Sequence, residues 1–169
     1  MTTIDDIKTD QVPKRLKMIS TFTGAGGMDI GFYKAGFDPI WANDIDPFAI
    51  KTYNNFFKSD HGVVGNIREQ DIPNNEKIDL VIGGPPCQGF SVAGKMDPND
   101  PRSKHVWDFL GVVKKIQPTV FVMENVKALA VNRRWNDLRK DLIDSARELG
   151  YETELWVLNA SDYNVPQSR

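Results

Sequence analysis

Four short stretches of this sequence carry side chains that could do chemistry together. The only cysteine, Cys87, stands in "IGGPPCQGFS". Pro85 and Pro86 restrict the backbone ahead of it, and Gly83, Gly84 and Gly89 would be wasted in a packed core. A thiol on so stiff a turn suits nucleophilic attack where its surroundings favour the thiolate, although a buried cysteine also serves as an inert small hydrophobe. Glu124 directly follows the apolar run of "TVFVMEN". It reads as a general acid made weaker by burial, or as a cap on the following turn. "FTGAGG", residues 22–27, offers glycines that let backbone approach a nucleotide-like ligand, and a tight strand-to-helix turn would use the same residues. Asp44, twenty residues beyond Gly24, is spaced to accept from ribose hydroxyls, or to sit as a solvated turn carboxylate beside Asp46.

The dinucleotide fingerprint G-x-G-x-x-G fails here, because its third glycine position is Asp29. A carboxylate in the first helical turn would repel a pyrophosphate at the helix N-terminus. The pattern fits a ribose-bearing ligand without phosphates, and S-adenosylmethionine is one. Its methionine carboxylate would use free N–H groups of the turn.

The elements that must position these groups follow from pattern. "KMISTF" (17–22) predicts a buried strand running into the glycines. Met28, Phe32 and Ala35 recur at helical spacing, with Gly36 as the stop. "PIWAND" predicts a second strand, and Asp46 before Pro47 a helix start whose inner stripe is Phe48, Thr52 and Phe56. "GVVGNI" and "KIDLVIGG" predict a third and a fourth strand, the latter buried on both faces. A long loop from Gly83 to about Ser103 has the length of a lid or binding loop. Val106, Leu110 and Val113 mark the next helix, "TVFVMEN" a fifth strand, and Trp135, Leu138, Leu142, Ala146 and Leu149 a helix ended by Gly150. "YETELWVLNA" predicts a sixth strand. This alternation means a doubly wound α/β sheet, mostly parallel, with every candidate residue at a strand's carboxyl end, where such sheets bind ligands.

Composition narrows the class further. The 169 residues suffice for one domain with a real core, 40% being hydrophobic and 26% charged. Twenty-one basic against twenty-three acidic residues give a net charge of −2, which excludes a surface wholly built for nucleic acid and leaves room for a local basic face. One cysteine forms no internal disulfide, and there is no secretory or long apolar segment, so a reducing cytoplasm is expected and no membrane. His61 and His105 have no metal-ligand spacing, and no metal is expected. Residues 1–17 read as a flexible arm, and 18–169 as one catalytic portion.

Taken in order, the glycine turn, "GGPPCQGFS" and "ENV" resemble the cytosine-5 DNA methyltransferase family of bacterial restriction-modification systems. Its motifs run F-x-G-x-G-G, P-C-Q, E-N-V and Q-x-R-x-R, and the resemblance covers Lys17 to Arg169. It implies a Rossmann-like fold that binds S-adenosylmethionine and releases S-adenosylhomocysteine. By this resemblance Phe22, Gly24, Ala25, Gly26 and Gly27 form the cofactor pocket, Asp44 binds the ribose and Ile45 lies against the adenine. Asn66 and Ile67 fall where the family has Asp-Ile, and an amide can accept a bond there as the carboxylate does. Gly84 and His105 border the methionine end; His105 stands where the family commonly has leucine, and reads equally as a residue of the helix start. Cys87 attacks carbon 6 of a cytosine flipped out of double-stranded DNA, and Glu124 donates a proton to ring nitrogen 3. Pro86, Gln88, Ser91 and Asn125 face the DNA, Asn125 also steadying the turn, and Gly89 and Gly94 serve as hinges of a mobile loop. Arg169, after Gln167, is the first arginine of Q-x-R-x-R. Arg133 and Arg134 read as phosphate contacts or as a solvated pair.

The chain stops inside that last motif. In the family's topology a further strand inserts between the fifth and sixth, so two exposed apolar edges are expected, unless the sixth strand moves over to pair with the fifth. The expectation is a chain that needs a C-terminal portion or complementary subunit carrying target recognition, and that aggregates and transfers no methyl group alone. Two other readings stand beside the DNA enzyme: the transfer RNA methyltransferase branch that shares these motifs, and a non-catalytic fragment that binds a partner chain.

Overall fold

The computed structural model describes residues 15–86 and 104–167. Cys87, Gln88, Gly89, Ser91, Gly94 and Arg169 lie outside the described residues, as does most of the N-terminal arm.

Five strands form one wholly parallel sheet: β1 (Leu16–Thr21), β2 (Phe37–Asp44), β3 (Gly62–Val64), β4 (Leu80–Gly83) and β5 (Val120–Met123), in the order β3-β2-β1-β4-β5. The first strand starts at Leu16 and takes in Lys17, whose N–H donates to Asp79 Oδ2. Pro39, in the interior strand β2, has no N–H to give the ladder. The β1–β2 register shifts between Met18 and Ile19, opposite Pro39 and Trp41, so the proline falls at an irregularity. His61 Nδ1 lies 2.8 Å from the Pro39 carbonyl on the far side.

Alternation along β1 sets the two layers. Met18 joins Leu80 and Ile82 on one face, under Met28 and Phe32 of α1 (Gly27–Lys34). Ile19 joins Trp41 and Val81 on the other. There they meet Val106, Phe109 and Val113 of α3 (His105–Ile116), with Leu129 of α4 (Lys127–Val131) and Leu142 of α5 (Asn136–Glu148) in the same cluster. The expected inner residues of α3 and α5 are thus in the core.

Helix α2 (Pro47–Phe57) begins as expected. Asp46 Oδ1 accepts from the N–H groups of Phe48 and Ala49, with proline at the first turn. Its inner stripe, however, is not the one expected. Phe48 is 80% exposed and Phe56 53% exposed, while Ile50 and Tyr53 are buried. Both sets have helical spacing, and the choice falls to Tyr53 because its ring packs under Gly26 and its hydroxyl reaches Asp29.

The sixth strand is also corrected. Residues 151–159 form no ladder, and β4 is the only strand paired to β5 among the described residues. Tyr151 fixes the start of the segment, donating to the Pro118 carbonyl at 2.7 Å and meeting Phe121 edge to face at 5.1 Å. Beyond it Leu155, Trp156, Val157 and Leu158 are exposed. Alternating residues give a strand a face, but its backbone still needs an edge to pair with.

Candidate functional site

Strand order runs outward from β1 to β3 on one side and from β4 to β5 on the other, so the connection reverses between β1 and β4. The pocket opens there, at the carboxyl ends of the strands. From β1 comes Phe22; from β2, Asn43, Asp44 and Ile45; from the segment after β3, Gly65, Asn66 and Ile67; from β4, Gly84 and Pro86; and from α3, His105.

The turn after β1 is held by the residues around it. Phe22 has φ +52°, a conformation that costs an L-residue of order 1–3 kcal/mol and persists where the surroundings over-determine it. Its ring lies 5.5 Å from that of His105. Gly24 donates its N–H to Asp44 Oδ2 at 2.8 Å, and Asp46 donates to Asp44 Oδ1 at 3.0 Å. Asp44 therefore ties the glycine turn to the start of α2 and keeps a second lone pair on each oxygen for a ligand. Gly26 has φ +87°, and a Cβ there would stand 2.7 Å from Tyr53 Cδ2. The turn thus folds down on Tyr53. Of the predicted turn residues, Phe22 lines the pocket, whereas Gly24, Ala25, Gly26 and Gly27 do not.

Asp29 does not occupy the place expected of it. It is fully buried, accepting from Thr23 Oγ1 at 2.7 Å and from the Tyr53 hydroxyl at 3.2 Å. It holds the turn from beneath and presents no carboxylate to a ligand, so the charge argument against a pyrophosphate lapses. Burial raises its pKa above the ordinary aspartate value, against the lowering by these donors. Burial, then the charge of Asp29, likewise pushes up the Tyr53 hydroxyl. The stability contributed by a protonated Asp29 is complete below its unfolded value and is lost as pH rises through the raised folded value. Asp29→Asn keeps a donor and an acceptor but cannot ionise. Urea unfolding should therefore show its stability, relative to the native chain, improving from about pH 4 towards pH 7. A difference independent of pH would contradict this.

On the opposite wall, Asn43 was not foreseen. Its Nδ2 donates to the carbonyls of Val63 and Gly65, both at 3.0 Å, and so fixes the strand end that carries Asn66. Asn66 caps the 3-10 turn Ile67–Glu69 through Arg68 N–H, and its Nδ2 reaches Glu69. Ile67 is buried beneath the pocket, while Ile45 is 73% exposed at its rim.

At the far end, Asn125 donates from Nδ2 to the Pro85 carbonyl at 3.1 Å and accepts from Val126 N–H at 2.9 Å. The turn leading to Cys87 is thus tied to the end of β5. Glu124 N–H donates to the Gly83 carbonyl at 2.9 Å. A Cβ on Gly84 would stand 3.4 Å from Glu124 Oε2. Glu124 itself is exposed, so the burial expected of it is not found. A strand end opening into the crevice leaves the carboxylate facing solvent once the apolar run has stopped.

Two further residues escaped the sequence reading. Asp108 Oδ2 lies 2.9 Å from His105 Nδ1, and Asp108 Oδ1 accepts from Arg68 Nε at 2.8 Å. The spacing of His105 and Asp108 on one helix was readable; the approach of Arg68, forty residues away, was not. Among the described residues no group of three or more His, Cys, Asp or Glu is placed to hold a metal ion, and no helix is long and apolar enough to cross a membrane.

A parallel doubly wound sheet with its pocket at the β1/β4 reversal defines a Rossmann-like fold. The S. pombe Dnmt2 methyltransferase shares it, with a TM-score of 0.67 and 24% identity, over 92% of this chain and 47% of that one. The chain belongs to the C-5 cytosine-specific DNA methylase family, whose model matches residues 16–169. It is similar to the Type II methyltransferase M.FnuDI of Fusobacterium nucleatum, 41% identical over 155 residues, 91% of this chain and 44% of that protein. It is also similar to the Type II methyltransferase M.AquIA of Picosynechococcus sp., 41% identical over 169 residues, 90% of this chain and 68% of that protein. The chain therefore spans less than half the length of the first and about two thirds of the second.

Proposed function

We propose that this chain is the catalytic part of a DNA (cytosine-5-)-methyltransferase, working on double-stranded DNA in a bacterial cytoplasm as part of a restriction-modification system. The observation that carries the reading is convergence. Phe22, Asp44, Gly84 and Glu124, from four strand ends, meet around one crevice, and the turn leading to Cys87 is tied to the same place through Asn125.

The residues present fit S-adenosylmethionine. Asp44 has lone pairs left for the ribose hydroxyls, Ile45 offers an exposed apolar surface for the adenine, and Gly84 leaves open a space that a side chain would narrow against Glu124. When bound, the cofactor supplies an electrophilic methyl group on sulfur. In this reading the Cys87 thiolate forms a bond to carbon 6 of the flipped cytosine. Glu124 holds a proton at nitrogen 3, so the electron pair moves to carbon 5 rather than leaving a bare charge on the ring. Carbon 5 takes the methyl group and then loses its proton, and the returning electron pair expels Cys87. Asn125 keeps the Pro85–Pro86 turn in register with Glu124, and Pro86, Gln88, Ser91 and Asn125 are the DNA contacts of this reading. Arg169, the first arginine of Q-x-R-x-R, is the third residue proposed for the catalytic set. Target reading is supplied by a C-terminal portion or complementary subunit, a proposal supported by the greater length of the relatives.

The test is methyl transfer from radiolabelled S-adenosylmethionine to DNA and to transfer RNA, with and without a complementary C-terminal polypeptide. Label in DNA is expected in its presence. Label confined to transfer RNA, or in neither, would overturn the proposal. Calorimetry should show S-adenosylhomocysteine binding. Asp44→Ala should weaken that binding by about 1–3 kcal/mol. An unchanged affinity would remove Asp44 from the site.

A further inference from the structure

Asp29 takes no part in the chemistry proposed above, yet it is a fully buried carboxylate beneath the turn after β1. Burying such a group is costly unless hydrogen-bond donors meet it. Two do: Thr23 Oγ1 at 2.7 Å and the Tyr53 hydroxyl at 3.2 Å. Thr23 is the hub of the turn, and all its polar groups are committed. Its N–H donates to the Asn43 carbonyl at 3.0 Å, its carbonyl accepts from Gly26 N–H at 3.0 Å, and its hydroxyl donates to Asp29 Oδ2. The flanking residues are the ones that reach the pocket. Phe22 lines it with φ +52°, and Gly24 gives its N–H to Oδ2 of Asp44, itself on the lining, at 2.8 Å. A positive φ at Phe22 persists where neighbouring contacts over-determine it, and the bonds of Thr23 supply that. Two of those bonds are made by backbone, whatever the side chain. The third exists only because a hydroxyl stands at 23 and a carboxylate at 29.

We infer that Thr23 and Asp29 are positioning residues for the cofactor: their hydrogen bond, acting through Phe22 and Asp44, sets affinity for the ligand as well as the stability of the fold. This rests on the cofactor reading above and assigns it two side chains that lie outside the pocket lining.

Calorimetry with S-adenosylhomocysteine, beside urea unfolding of the same preparations with the complementary C-terminal polypeptide, separates the two roles. Thr23→Val keeps the shape and loses the hydroxyl, and should weaken binding about tenfold. Thr23→Ser keeps the hydroxyl and loses a methyl group, so it should unfold at lower urea but bind within about twofold of native. Thr23→Ala differs from Thr23→Ser by the hydroxyl alone and should bind about tenfold more weakly than it does. Either pair therefore reads the bond if one variant does not fold. Leu142→Ala, in the core on α5, removes packing and touches neither residue. It should lower the urea midpoint and leave affinity within about twofold. Native-like binding by Thr23→Val and Thr23→Ala, or binding by Thr23→Ser as weak as by Thr23→Ala, would overturn the inference and leave the cofactor reading standing. So would a loss of affinity in Leu142→Ala as large as that in Thr23→Val. A native protein that binds no S-adenosylhomocysteine would overturn the cofactor reading, and this inference with it.

Discussion

Cys87→Ala is expected to lower methyl transfer to DNA by at least about 10⁴-fold, because no other group here can form the bond to carbon 6 that makes carbon 5 nucleophilic. The chain has no second thiol to substitute for it. Affinity for S-adenosylhomocysteine should change by less than about twofold, since the pocket proposed for it is lined from the β1, β2 and β4 ends, the segment after β3 and α3. Single-turnover rates with saturating cofactor, beside calorimetry on the same preparation, check both halves. A variant retaining a tenth of the native rate would remove Cys87 from the chemistry, and parallel loss of cofactor affinity would make its role structural.

The second large effect belongs to Glu124. Glu124→Gln keeps the size and a hydrogen bond but cannot give up a proton, and should slow the reaction by about 10²–10⁴-fold. The backbone bond from residue 124 to the Gly83 carbonyl does not depend on the side chain, so the fold and the Gly84 opening should persist. Because proton donation at nitrogen 3 assists addition at carbon 6, the covalent step should slow with the overall rate. A rate within threefold of native would show that nitrogen 3 needs no proton from this residue.

Much of this arrangement was readable because it is local. Apolar runs ending in Gly, Asp or Glu placed the β1, β2, β4 and β5 ends, and the Asp46–Pro47 pair placed the start of α2. What the sequence could not supply were choices between equally periodic faces and contacts across long separations. Phe48 and Phe56 have the same helical spacing as the buried side of α2, and only Tyr53's meeting with Asp29 and Gly26 decides between them. Asp29 read as a charge at a helix mouth because its partners, Thr23 and Tyr53, are chosen by tertiary packing. Residues 151–159 carry a good strand pattern, yet pairing is a property of two segments, and no edge among the described residues takes them up. The Arg68–Asp108–His105 relay joins two elements that only the folded sheet brings together.

The central claim is covalent attack by Cys87 on a flipped cytosine, and one trapping experiment tests it most directly. DNA carrying 5-fluorocytosine cannot lose fluorine as it would a proton, so the methylated adduct should persist. The protein, with S-adenosylmethionine, its complementary C-terminal polypeptide and that duplex, should give a species stable to denaturation. Mass spectrometry should place the methylated fluorocytosine on the peptide containing Cys87, and Cys87→Ser should form none. An adduct on another residue, an adduct that survives Cys87→Ser, or steady methyl transfer to unmodified DNA with no trapped species on the fluorinated duplex would contradict the account.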